Sequence, residues 1–141
     1  MTALLLIHLA LTWALVGLIW TIQIVHYPLF KDVGNEKFII YHQRHMDLIS
    51  WVVGPLMLTE IGSAGVLFFL GERSLAFLIS LAALGMVWLS TAFTQIPLHQ
   101  ALTSGYDPRA IDRLVRTNWW RTAAWTLRGV CLVVLLMQKF H

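Results

Sequence analysis

Apolar residues run along this chain in four long stretches, and polar residues gather at their ends. The stretches are roughly Leu4–Leu29, Leu48–Leu70, Leu75–Ile96 and Asn118–Met137. An α-helix of ~20 residues crosses a hydrocarbon core of ~30 Å, so each stretch is long enough to span a bilayer. The pattern predicts one domain over residues 1–141, an all-α integral membrane four-helix bundle in antiparallel, up-down-up-down order. The first apolar run lacks a basic leader and is too long for a signal-peptide core of ~7–15 residues, so it reads as a retained first span.

The boundaries have local causes. Pro28 and Pro97 are expected to end the first and third helices, and Gly71-Glu72-Arg73 to make a tight turn between the second and third. Asn35 is placed to cap a helix beginning at Glu36, and Asp107-Pro108 pairs a cap with a first-turn proline. The second and fourth helices should therefore begin ahead of the membrane, and Pro55 should kink the second. The halves resemble each other weakly: Gln23 precedes Pro28-Leu29 as Gln95 precedes Pro97-Leu98, and His42-x-x-His45 has a counterpart in Asn118-x-x-Arg121. A parallel repeat of two helical hairpins would explain this, and so would chance similarity between apolar hairpins.

Polar positions repeat at helical spacing. His42, His45 and Glu60 share a stripe, since eighteen residues from His42 to Glu60 are ~5 turns. Thr91, Gln95 and His99 form a second face, and Asn118, Arg121, Trp125 and Arg128 a third. Polar groups inside spans turn toward the bundle interior. Glu60 and Arg128 lie at similar depth, so a buried ion pair is the natural arrangement for them. Gln23, Gln95, Asn118 and Arg121 would line a pocket at one end of the bundle, with Trp13, Trp20, Trp51, Trp88 and Trp125 as its aromatic wall. His26, His42, His45 and His99 should converge there. Interfacial placement in the headgroup layer is the competing reading for these histidines.

Composition changes the picture in two ways. Of 141 residues, 58% are hydrophobic and only 12% charged, well below the ~25% of soluble domains. The net charge of +3 is a topology signal rather than a nucleic-acid footprint, so the partner is the lipid bilayer and no nucleic acid. Lys31, Lys37, Arg44, Arg109, Arg113, Arg116 and Arg121 belong to the first and third connections, against Arg73 and Lys139 on the other side. The positive-inside rule then puts those connections in the cytoplasm and both termini outside, as in a bacterial inner membrane. A single cysteine, Cys131, allows no internal disulfide.

Candidate chemistry follows from these groups. His42, His45 and His99 could act as bases, and Arg121 could stabilise an oxyanion. Gln23, Gln95, Asn118, Trp20 and Trp125 would bind a small hydrophobic substrate. Imidazoles also suit copper, iron or zinc, and His26, His42, His45 and His99 are the candidate ligands. Haem b, held by histidines on facing helices, is an alternative, as is a cofactor-free site. Covalent haem attachment is excluded because C-x-x-C-H is absent, and there is no phosphate loop or dinucleotide fingerprint.

Gln95-Ile96-Pro97-Leu98-His99-Gln100-Ala101-Leu102, then Tyr106-Asp107-Pro108, then Asn118-Trp119-Trp120-Arg121-Thr122 resembles the second-half signature of the anthrone-oxygenase-like four-helix membrane proteins, many of them domains of unknown function. Pro97, Leu98, Leu102, Asn118, Arg121 and Thr122 match that pattern. Gln95 and His99 stand where it favours asparagine, and Thr117 where it favours tryptophan. His26-Tyr27-Pro28-Leu29-Phe30 is similar in layout to the first half. The resemblance implies a membrane oxygenase or oxidoreductase acting on an aromatic or quinone-like molecule. A histidine-ligated metal or haem protein without turnover, and a structural membrane subunit, stand beside it.

Overall fold

The structure is a computed structural model that describes residues 2–140. Helix α1 (Thr2–Thr21) continues through a π-helical turn (Ile22–His26) and a 3-10 turn (Pro28–Asp32). Helix α2 is Phe38–Phe69. Helix α3 (Leu75–Ser90) passes through a second π turn (Thr91–Gln95) into α4 (Ile96–Leu102), and α5 is Pro108–Phe140. The helical runs Thr2–Asp32, Phe38–Phe69, Leu75–Leu102 and Pro108–Lys139 are each long and apolar enough to cross a membrane. The protein is an all-α membrane bundle, as the hydrophobic pattern predicts.

The prolines do not end their helices. Each π turn begins six residues ahead of its proline, Ile22 before Pro28 and Thr91 before Pro97. Proline clashes with the carbonyl four residues earlier. Those carbonyls belong to Ile24 and Phe93, in the middle of the two π turns. The widened turn moves the carbonyl aside, and the chain continues. The two hairpins use this device in the same register. Helix α2 likewise runs on through Pro55.

Helix α2 starts at Phe38 rather than Glu36, with Lys37 at the cap and no side-chain cap bond. Phe38 is completely buried and packs edge-on against Phe30, which fixes the start from inside the core. Asp107 does cap α5: its Oδ1 accepts the Arg109 N–H at 2.9 Å. At the tight turn between α2 and α3, Gly71 has φ 93°, a conformation that favours glycine. Beside it Glu72 pairs with Lys139 at 2.6 Å. Burial pushes the Glu72 carboxyl up, but its bonds with Lys139 and Ser74 outweigh this and hold it below its ordinary value.

The centre is polar and closed. Glu60 and Arg128 pair at 3.1 Å with both side chains fully buried. Glu60 also accepts from Thr12 Oγ1 at 2.9 Å and from Trp125 Nε1 at 3.2 Å. Arg128 donates to the Ser80 carbonyl at 2.8 Å, to Ser80 Oγ at 3.1 Å and to His8 Nε2 at 3.0 Å. Arginine only donates, so His8 accepts at Nε2 and is neutral. Its Nδ1–H then donates to Ser63 Oγ at 2.7 Å, and Ser63 donates to the Glu60 carbonyl at 3.0 Å. The network draws on α1, α2, α3 and α5, and none of its buried polar atoms lacks a partner. Apolar layers lie to either side, one around Leu15, Ile19, Val87 and Ala124, the other around Leu5, Leu67, Phe77 and Leu132.

Removing one member of a buried pair strands the other, which costs roughly 3–5 kcal/mol, whereas replacing both with apolar residues is often neutral. Arg128→Met is therefore expected to lower thermal stability in detergent far more than the double variant Glu60→Met, Arg128→Met. A double variant that loses the sum of the Glu60→Met and Arg128→Met losses would show that the two charges do not depend on each other.

Candidate functional site

Toward the end of the bundle where the first and third connections lie, the two π turns meet α2 and α5. A π turn inserts a residue and re-aims the side chains around it. Here the turns carry Gln23, His26 and Gln95, and Gln23 and Gln95 are buried.

A directed hydrogen-bond chain holds Arg121. Gln23 Nε2 donates to the Val115 carbonyl at 3.1 Å, so its Oε1 is left to accept from Asn118 Nδ2 at 2.9 Å. Asn118 Oδ1 in turn accepts from Arg121 at 3.1 Å. Gln23 and Asn118 thus satisfy each other and fix Arg121. They do not line the cavity, contrary to the expected substrate-binding role. Arg121 is only 6% exposed and makes no salt bridge among the described residues, and its Nε has no hydrogen-bond partner.

Arg121 lines a cavity of about 380 Å³, together with Tyr27, Trp88, Thr91, Gln95 and His99 at its polar end. Ile49, Val53, Met57 and Leu58 of α2 form its apolar side. The size falls in the ~300–1,000 Å³ range of small-molecule pockets. Gln95 Nε2 donates to Thr117 Oγ1 at 3.1 Å, while that hydroxyl donates to the Arg113 carbonyl at 2.7 Å. The amide orientation is therefore set, and Gln95 Oε1 is left without a partner. Trp88, another lining residue, has its Nε1 buried and unpartnered. Buried polar atoms in native proteins are normally satisfied. Two donors and one acceptor here lack a partner around one cavity.

The four histidines do converge. His42 Nε2 lies 3.1 Å from His99 Nδ1, and His99 Nε2 lies 3.0 Å from the Tyr27 hydroxyl. His26 Nε2 lies 2.7 Å from His45 Nδ1. They converge on a phenyl ring: the Phe30 centroid is within 6.4 Å of all four imidazoles. The 3-10 turn after the first π turn puts it there. Ring nitrogens face each other in pairs at hydrogen-bond distance, and among the described residues no group of three or more His, Cys, Asp or Glu could hold a metal ion. Axial haem ligands would stand ~4 Å apart, twice a metal–nitrogen bond, with a macrocycle between them. Neither bonded pair leaves that space. The side chains as placed do not fit a metal or haem.

Only His99 of the four lines the cavity beside Gln95 and Arg121. His42 stands behind it, while His26 and His45 line a separate groove between α1 and α2. The aromatic wall is also smaller than expected. Trp51 is 81% exposed on the lipid face. Trp20 is 40% exposed, bonds Thr126 at 3.1 Å and packs edge-on against Trp119, and it does not line the cavity. Trp13 lies against Gly129, where a Cβ would stand 3.1 Å from its ring. Trp125 serves the Glu60 network, with Arg121 5.1 Å over its ring. Trp88 alone of the five lines the cavity. Tyr27 escaped the sequence analysis as a site residue, although a polar side chain between His26 and Pro28 marked its position.

No protein-family model, curated protein or solved structure matches this chain.

Proposed function

We propose that the protein is a membrane oxygenase or related oxidoreductase acting on a hydrophobic, aromatic or quinone-like molecule that bears a carbonyl or phenolic oxygen. The observation that carries this reading is Arg121, a buried cation that lines the cavity without a carboxylate partner among the described residues and with its Nε unpartnered. An uncompensated buried charge is costly, and such a group is useful where negative charge develops during reaction. A substrate oxygen beside Nε would supply that charge. Trp88 Nε1 offers a second donor to it, and Gln95 Oε1 accepts from a substrate hydroxyl.

The Tyr27–His99–His42 chain stands across the cavity wall as the base. Tyr27 and His99 both line the cavity, and both ring nitrogens of His99 are engaged, by Tyr27 and by His42, so a substrate proton passes to His99 through the Tyr27 hydroxyl as that hydroxyl gives up its own. Removal of a proton from an acidic C–H leaves its electron pair on the carbonyl oxygen as an enolate, which Arg121 holds. Dioxygen is the oxidant. A CH₂ group becomes C=O, one oxygen atom entering the product and the other leaving as water with the two hydrogens. This balance agrees with the activity that the anthrone-oxygenase-like resemblance implies. General base catalysis is worth typically 10²–10⁴-fold. Oxygen uptake with anthrone as the trial substrate is expected to fall by about that factor in His99→Ala.

The test of Arg121 uses 4-nitrophenol, whose phenolate absorbs in the visible range. With the protein in nanodiscs, the bound probe is expected to ionise at lower pH than in lipid alone, and Arg121→Met should abolish that displacement. An identical titration in the variant would overturn the reading.

The basic residues of the first and third connections support placing this end of the bundle in the cytoplasm, with both termini outside. Gly34 and Gly105 carry positive φ, so Asn35→Cys and Ser104→Cys are the better reporters. In a Cys131-free protein in intact cells, both should resist an impermeant thiol reagent. Ready labelling would reverse the orientation.

A further inference from the structure

We infer that the molecule bound beside Arg121 is a single-tailed lipid with a phenolic head, its tail lying in the groove between α2 and α3. This rests on the reading of the cavity given above and goes further by naming the class of ligand. Backbones pack closely between α3 and α5, α1 and α5, and α1 and α2, whereas α2 and α3 are not among the closely packed pairs. Along that seam a second cavity of about 360 Å³ neighbours the Arg121 cavity, and Trp88 lines both. The second is lined by Ile61, Ala64, Gly65 and Phe68 of α2 and by Leu81, Leu84 and Gly85 of α3. It has no ionisable lining residue.

Two glycines face this groove, and nothing lies within 4 Å of where a Cβ would stand at Gly65 or Gly85. The groove is open at both positions. Small residues alone would only describe a groove. The polar end gives it direction, because Arg121 Nε and Gln95 Oε1, on residues 6% and 2% exposed, are unpartnered at one end only. A head with a phenolic oxygen and hydroxyl answers those atoms, and an apolar chain answers the groove. From Gln95 to Leu81 is fourteen residues, or ~21 Å at 1.5 Å per residue. At the far end the Arg73 guanidinium lies 3.4 Å over the ring of Phe68, a lining residue of the groove. Leu58, at the cavity rim, is 63% exposed to the lipid face, so a bilayer-borne molecule can move in sideways.

The probe is 4-dodecylphenol with a diazirine near the end of its tail, photolysed with the protein in nanodiscs, and the competitor is 4-ethylphenol. Labels are expected on Gly65–Phe68 and Leu81–Gly85, falling about tenfold in Arg121→Met or with excess 4-ethylphenol, the change that 1.4 kcal/mol of binding gives. Gly85→Leu should reduce labelling similarly while 4-ethylphenol still binds, and Gly65→Leu gives an independent block in the same open space. Labelling that ignores both Arg121→Met and the competitor marks bulk lipid in the groove and overturns the inference. Competed labelling elsewhere on the chain overturns the tail placement and leaves the Arg121 reading intact. Failure of 4-ethylphenol to bind at all overturns both.

Discussion

The cost of burying charge in a membrane bundle organises this protein. Arg128 and Arg121 lie seven residues apart on α5, and both are buried. Arg128 meets a carboxylate, two serine oxygens and a histidine nitrogen, each supplied by another helix. Without a hydrophobic force between helices in lipid, such polar contacts and close packing hold the spans together. The Glu60–Arg128 network therefore fixes the relation of α1, α2, α3 and α5, and the cavity beyond it inherits that geometry. Arg121 has no carboxylate. Its neutral partner Asn118 is itself held by Gln23, so the guanidinium is positioned but meets no carboxylate among the described residues. The bundle thus has a satisfied centre and an unsatisfied end.

The unsatisfied end is built by irregular helix. Both π turns sit the same distance before a proline, and each turns a glutamine inward. One glutamine anchors Asn118 and so Arg121, and the other presents a bare oxygen to the cavity. The 3-10 turn after the first places Phe30 beside all four imidazoles. His26–His45 and His42–His99 form separate hydrogen-bonded pairs. Only the second pair continues, through Tyr27, to the cavity wall.

Regular helices were legible in the sequence because 3.6-residue periodicity holds along them. His42, His45 and Glu60 on α2, and Asn118, Arg121, Trp125 and Arg128 on α5, all point inward as their spacing predicts. Reading failed where the period changes. Pro28 and Pro97 signal a stop, but the π turns ahead of them carry the helix on. Trp20, in the last regular turn of α1, was given an inward role but is 40% exposed and packs against Trp119. His8 and Thr12 complete the ionic network at the i, i+4 spacing of one face, a usable signal hidden by the apolar run around them. Composition could not divide the polar residues into those that satisfy one another, such as Gln23 and Asn118, and those left open, such as Gln95. That division depends on which neighbour takes each lone pair.

The central claim is that Arg121 is held at a cost to stability, unlike Arg128. The most direct measurement is the thermal unfolding of Arg121→Met in detergent without ligand. Removing an uncompensated buried cation should leave the melting temperature unchanged or raise it, as expected where function opposes stability. A loss as large as that of Arg128→Met would mean that Arg121 is a packing residue, and would contradict the account.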